Sequence, residues 1–216
     1  MQAEPTEFIR CNTALEAPPI VPEIRLHLAT EITPIWLATE ATLARDGVPP
    51  PYWAFAWAGG QALARYVLDH KALVEGRRVL DFGAGSGLVS IAASLAGAAQ
   101  VTAAEIDPIA AAAINLNAEL NGVAIAIEPD DVIGRDGAAW DVILVGDMCY
   151  ERPLADRLTE WLRRLAAAGK PVLLGDPGRT YLPKSGLAEV ARYTVPTSLE
   201  LEDRESREGI VWRIVA

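Results

Sequence analysis

Val79-Leu80-Asp81-Phe82-Gly83-Ala84-Gly85-Ser86-Gly87 is the stretch that decides the fold of this chain. An apolar run that ends in an acid and then alternates glycine with small residues reads as a buried strand feeding a tight turn. Leu88 to Ala96 has the composition of a helix, with Gly97 as its stop. Strand, glycine turn and helix form a cradle for a nucleotide-type ligand, because glycine lets the backbone come close and the helix start offers unpaired N–H groups. A dinucleotide fingerprint needs a third glycine three positions after the second, to let helix and strand pack closely. Leu88 stands there instead, which argues against an NAD-dependent dehydrogenase.

The spacing acid-x-Gly-x-Gly-x-Gly resembles the first motif of the seven-strand S-adenosylmethionine (SAM) methyltransferases, where the loop holds the methionine portion of the cofactor. Asp81, Gly83, Ala84 and Gly85 are its candidate cofactor contacts. Gln100 to Ala104 reads as a short strand ending at Glu105, about 20 residues past the first glycine, where an acid grips ribose hydroxyls. Ile106 follows as a further candidate contact. Asp107 precedes Pro108, the pattern of an N-cap with proline in the first turn, and the helix runs to Asn121-Gly122. Glu105 is thereby assigned to ribose and Asp107 to the cap; the alternative is two surface acids on an ordinary turn.

The 216 residues suffice for one domain, and a net charge of −10 disfavours a surface that wraps nucleic acid, since phosphate affinity rests on lysine and arginine. A basic protein or a small molecule is the expected partner. Two cysteines, Cys11 and Cys149, are too few for a disulfide framework and have no metal-ligand spacing, so no metal is expected and both read as reduced thiols of a cytoplasmic protein. Met1 to Arg10 has no positively charged start followed by an apolar core, and it is acidic where a transit peptide would be rich in arginine. No apolar run approaches the roughly 20 residues of a membrane span.

Residues 1 to 50 are broken by prolines, and Pro22 to Thr30 and Pro34 to Ala44 are candidate short helices of an extension that either covers the site or packs as an appendage. In Tyr52-Trp53-Ala54-Phe55-Ala56-Trp57 four aromatics crowd into six positions. Such rings suit a sulfonium or methylammonium cation, or serve the core. Trp57 and the run Gly59, Gly60 and Gln61, beside a helix expected over Gln61 to Asp69, are chosen for ligand contact. Past the cradle, Val123 to Ile127 reads as a third strand, with Asp131 a candidate for the adenine amino group or a solvated turn. Trp140 to Val145 is a buried strand bounded by Gly146, and Asp147-Met148-Cys149-Tyr150 projects from its carboxyl end, where open α/β sheets bind ligands. The competing role for Asp147 is a cap on the next helix, whose stripe Leu154, Leu158, Trp161, Leu162 and Leu165 belongs to the core. Pro171 to Gly175 makes a fifth strand; by the same edge rule Arg179 either binds a carboxylate or closes a turn. Leu187 to Val195 and Ile210 to Val215 close the sheet.

Asp147-x-x-Tyr150 resembles the post-strand motif of protein lysine methyltransferases. Together with Pro-Tyr-Trp-Ala at 51–54, Gly-Gly-Gln-Ala-Leu at 59–63, Glu105-Ile-Asp107-Pro-Ile-Ala and Gly-Asp176-Pro-Gly-Arg179, it is similar to the lysine methyltransferases of the electron transfer flavoprotein β subunit along nearly the whole chain. The resemblance implies an α/β fold of seven strands, a mostly parallel Rossmann-like sheet with helices on both faces, in one methyltransferase domain. A helical extension over 1–50 precedes a SAM-binding core over 51–216. It implies SAM as cofactor, S-adenosylhomocysteine as product, the flavoprotein β subunit as substrate, and Asp147 and Tyr150 as catalytic residues, with Gly146 among the cofactor contacts. The missing targeting segment suggests a bacterial, cytoplasmic relative. The alternatives are a methyltransferase of the same fold acting on a ribosomal protein or a small molecule, and a non-catalytic SAM-binding partner.

Overall fold

The computed structural model describes residues 4–29, 50–197, 199 and 204–215. The motif stretch is a strand, β3 (Arg78–Phe82), whose Val79 and Leu80 are fully buried. After two amino-terminal strands, β1 (Ala14–Glu16) and β2 (Leu26–Leu28), it is the first strand of the main sheet; β4 (Gln100–Ala104), β5 (Ala126–Glu128), β6 (Val142–Gly146), β7 (Val172–Asp176), β8 (Leu187–Pro196) and β9 (Ser206–Ile214) complete it. The order is β5-β4-β3-β6-β7-β9-β8, parallel through the first five and antiparallel at β9 and β8. The chain leaves β3 to build one side of the sheet, then returns to place β6 on the other. Between β3 and β6 the winding reverses, and the carboxyl ends of neighbouring strands open a crevice there.

Side chains alternate across the central strands, so each strand feeds two cores. Val79, Val142, Leu144 and Leu173 pack under α2 (Ala58–Asp69) and α3 (Leu88–Leu95). Leu80, Ile143, Val145 and Leu174 face α5 (Arg152–Ala167), whose Leu158, Trp161, Leu162 and Leu165 are buried and whose Leu154 packs against the same cluster. Between these, α4 (Pro108–Leu120) begins on an Asp107 cap that accepts from the Ile109 N–H at 2.8 Å. Trp53 and Phe55 join Ile9 and Ala113 in a third cluster.

The helix expected over Pro22 to Thr30 is not formed. Leu26 and Leu28 are buried and His27 only half so, a period of two, and β2 pairs antiparallel with β1. Asn117 of α4 and Asn121 at its C-cap hold this segment from outside, accepting from the His27 N–H at 2.8 Å and the Arg25 N–H at 3.0 Å. A short helix, α1 (Pro5–Asn12), precedes the hairpin. The expected helix at Pro34 to Ala44 lies outside the described residues. Two boundaries also shift: α2 starts at Ala58, so Gly59 and Gly60 belong to its first turn, and the third strand is confined to Ala126–Glu128.

Candidate active site

The half of the crevice to which the sequence assigns the cofactor is made of backbone and one acid. Gly83 and Gly85 take φ of +67° and +53°, a region unfavourable to other residues, and a Cβ at Gly83 would meet the Met148 side chain, 2.7 Å from Cε. The Gly83 N–H donates to the Ala104 carbonyl at 3.0 Å, tying the loop that also carries Ala84 to β4. Glu105 accepts from the Gly85 N–H at 2.9 Å through one oxygen and from the Asp107 N–H at 3.0 Å through the other. Each oxygen keeps a lone pair for a hydroxyl donor, and burial raises the Glu105 pKa. Ile106 beside it is 73% exposed, an apolar side chain with no cover of its own. A vicinal diol on Glu105 with an aromatic base over Ile106 fits this arrangement, and the open glycine turn fits a close backbone approach.

Asp81 lies beneath that loop. It is buried and accepts from the Ser90 hydroxyl at 2.7 Å, joining β3 to α3; burial, with the charge of Glu105 adding, pushes its pKa up to about 7. Asp131 is engaged with the Ile133 N–H at 2.9 Å and Arg157 at 2.7 Å. Gln61 is 2% exposed; its amide donates to the Ala56 carbonyl at 2.7 Å and its oxygen accepts from the Ile20 N–H at 3.5 Å. In these contacts Gln61 ties the aromatic loop and the amino-terminal segment to α2.

On the other side of the crevice β6 ends in Gly146, and Asp147 turns out of it with φ +55°, the one positive φ outside glycine among the described residues. The conformation aims its carboxylate back at the sheet edge, where it is 7% exposed. Oδ2 accepts from the Gly60 N–H at 2.6 Å, in the first turn of α2, where a negative charge is favoured. Oδ1 accepts from Nε and Nη2 of Arg179 at 3.0 and 2.8 Å. Burial pushes the Asp147 pKa up to about 6, against the pull of Arg179 and with Asp176 adding to the rise. The close approach is possible because Gly146 and Gly175 are register partners facing Gly59 and Gly60. A Cβ at Gly59 would strike the Gly175 carbonyl and lie 2.6 Å from Asp147 Oδ2, so Gly59 and Gly146 serve packing at this point.

Aromatic rings rim this half. Tyr52 sits 6.2 Å from Trp57 and 5.4 Å from Tyr150, centroid to centroid, and the Arg179 guanidinium lies 5.3 Å over Trp57. The Trp57 indole donates to the Tyr52 carbonyl at 2.9 Å. Tyr52 and Tyr150 remain 49% and 41% exposed, while Cys149 between the two halves of the motif is buried, which pushes its thiol up to about 12. The structure thus brings Trp57, Asp147 and Tyr150 together and sets Glu105, Ile106 and the glycine loop opposite. What sequence reasoning missed is the pairing: it did not join the Gly60 N–H or Arg179 to Asp147, and it left Tyr52 open between ligand and core. The sequence leaves Arg179 open between two roles, and it fills both: its side chain holds the Asp147 carboxylate and its backbone N–H closes the turn on Asp176. Among the described residues no cluster of His, Cys, Asp and Glu could hold a metal ion.

Residues 61–148 match the sequence model of the ribosomal protein L11 methyltransferase (PrmA) family. The electron transfer flavoprotein beta subunit lysine methyltransferase of Xenopus laevis is 40% identical over 214 residues, covering 96% of this chain and 86% of that protein. Its counterpart in Danio rerio is 41% identical over 213 residues, with 95% and 81% covered. The fold is shared with magnesium protoporphyrin IX methyltransferase (ChlM) from Synechocystis PCC 6803 with bound SAM, at a TM-score of 0.55 and 15% identity over 83% of this chain and 94% of that one. The chain belongs to the electron transfer flavoprotein beta subunit lysine methyltransferase family, enzymes on the SAM methyltransferase fold.

Proposed function

We propose that this methyltransferase modifies lysine side chains of the electron transfer flavoprotein β subunit, with Asp147 receiving the acceptor amine and Tyr150, Tyr52 and Trp57 shaping the channel to it. The observation that carries this reading is the buried carboxylate of Asp147 inside an aromatic rim, facing the glycine loop and Glu105 across the crevice. Glu105 and Ile106 hold the nucleoside, and Gly83, Ala84 and Gly85 the methionine portion. Asp81 supports that loop from below. For Gln61, Asp131 and Gly146 we assign support of the site, in keeping with their engaged or tightly packed positions.

Bound SAM supplies a methyl group on a positively charged sulfur. The acceptor Nζ must reach it without a proton, and at neutral pH releasing that proton from a pKa of about 10.4 costs about 4 to 5 kcal/mol. An apolar, aromatic mouth and a neighbouring positive charge both lower this cost. The nitrogen lone pair then forms the N–C bond while the C–S pair stays on sulfur, giving a methylammonium and a neutral thioether. The protein's share is position: Asp147 fixes the amine by a hydrogen bond, and the rim lines its approach.

The PrmA match favours a ribosomal-protein substrate as a second reading. That match stops at Met148, short of Tyr150 and Arg179, whereas the similarity to the flavoprotein methyltransferases covers both halves of the site. A cytoplasmic setting is supported by the two unbridged cysteines, and the net charge of −10 supports a protein rather than a nucleic-acid partner. No helix among the described residues is long and apolar enough to cross a membrane. The test is transfer of labelled methyl from SAM to purified flavoprotein β subunit, with mass spectrometry of the product. Label on lysines, lost in Asp147→Ala, is expected; label on a ribosomal protein alone would favour the second reading.

A further inference from the structure

A carboxylate that receives a lysine amine works against methyl transfer unless something offsets its charge. Alone and buried, it stabilises the ammonium, which has no lone pair. If it takes a proton itself, its O–H donates to the amine nitrogen and the lone pair is again occupied. Either way the nucleophile is withheld.

The groups around Asp147 resolve this. Oδ1 holds both Nε and Nη2 of Arg179, while Oδ2 holds the Gly60 N–H and keeps one acceptor position. Arg179 is itself fixed: its guanidinium lies on Trp57, and its backbone N–H and that of Gly178 both donate to Asp176 Oδ1 at 2.7 Å. The charged and titratable groups facing Asp147 are Asp176 at the end of β7, Arg179 in the following loop, and Cys149 on its own segment, with the start of α2 contributing backbone N–H groups. Tyr150 and Tyr52 form the rim. As a pair Asp147 and Arg179 carry no net charge, while Asp176, whose Oδ1 is taken up by the Gly178 and Arg179 N–H groups, stands as a second acid beside them.

We propose that Arg179 is a positioning residue for methyl transfer. By filling Oδ1 and neutralising the carboxylate, it holds Asp147 as a pure hydrogen-bond acceptor at Oδ2, where a neutral lysine amine donates an N–H and keeps its lone pair for the methyl carbon. The proton shed by the ammonium leaves to solvent before the transfer. This rests on the lysine-acceptor reading above.

The experiment compares wild type, Arg179→Lys and Arg179→Gln as full-length enzymes. Both variants lose the two-pronged contact and only one loses the charge, so a folding defect common to both cancels. The first readout is kcat/KM for methylation of the flavoprotein β subunit between about pH 6.5 and pH 9.5. The rising limb, which reports amine deprotonation, is expected to move up by at least about one pH unit in Arg179→Gln and to stay near wild type in Arg179→Lys. The deficit of Arg179→Gln should therefore shrink as pH rises. The second readout needs no protein substrate: n-butylamine, a cation at pH 8.5, is titrated into the S-adenosylhomocysteine complex. Arg179→Gln should bind it about tenfold more tightly than wild type or Arg179→Lys, because its carboxylate is no longer neutralised. A limb that does not move, or equal butylamine affinities, overturns the proposal. A wild type that methylates no flavoprotein while the butylamine preference holds sinks the substrate assignment and leaves the role of Arg179 standing.

Discussion

The two halves of the crevice each hold an acid, and they treat it differently. Glu105 is met by backbone N–H groups alone, from the glycine loop and from the start of α4, and an exposed Ile106 stands beside it. Asp147 is met by a guanidinium and a helix N–H, under glycines so close that a Cβ would not fit. The first arrangement leaves acceptor positions open to hydroxyls of a ligand that comes and goes. The second keeps one position open and fixes the charge around it. In the function proposed above, the difference separates holding a cofactor from orienting a nucleophile.

The largest expected effect lies on the second half. Asp147→Asn keeps the shape but loses the charge and one acceptor oxygen, and methyl transfer should fall by more than about a hundredfold while SAM affinity, measured by calorimetry, stays within about twofold. Equal losses in both would erase the division of labour. On the first half, Glu105→Gln exchanges an oxygen acceptor for a donor that faces an N–H. SAM affinity should drop about tenfold or more, with kcat at saturating SAM close to wild type. A kcat loss as large as that of Asp147→Asn would show that Glu105 orients the reaction as well.

The two halves were not equally legible in the sequence. The cofactor half is local: Gly83, Gly85, Glu105 and Asp107 lie within one strand-turn-helix-strand run, and their spacing carries the geometry. The acceptor half is convergent. Gly60, Asp147 and Arg179 come from three distant segments, and nothing in a short window says that their atoms meet. The paired glycines carry a second constraint: Gly59 reads as a ligand contact when taken with its neighbours, and across the register of β6 and β7 its hydrogen faces the Gly175 carbonyl. Gln61 is likewise engaged at a distance, with partners, Ile20 and Ala56, on the amino-terminal segment and the aromatic loop. In the hairpin, prolines drew attention to helix starts, while the signal that prevailed was the alternation of Leu26 and Leu28, secured by asparagines 90 or more residues away.

The packing account of the acceptor half is sharpened by Gly59→Ala. The added methyl meets the backbone of β7, which cannot swing aside, and the Asp147 carboxylate, so the expected loss of stability is about 1 to 3 kcal/mol in urea unfolding. Methyl transfer should fall with it, because the Gly60 N–H moves away from Oδ2. A variant as stable as wild type that loses only SAM affinity would return Gly59 to the cofactor half.

The smallest effect is confined to the floor of the cofactor half. Burial raises the Asp81 pKa to about 7 in the folded chain, against about 4 when unfolded. Between those values the folded state keeps a proton that the unfolded chain has released. The contribution of Asp81 to stability is therefore full on the acid side and declines as pH rises toward 7. The variant Asp81→Asn has no such proton to keep, and its amide would still partner the Ser90 hydroxyl. Chemical denaturation without SAM at pH 5 and pH 6 should show wild type losing about 1 kcal/mol more than the variant over that single unit. Parallel stabilities would mean that Asp81 is ionised in the fold, held by Ser90 strongly enough to outweigh its burial. In that case the glycine loop would rest on a fixed negative charge rather than on a neutral acid, and the cofactor's positive sulfur would have a second anion beneath it.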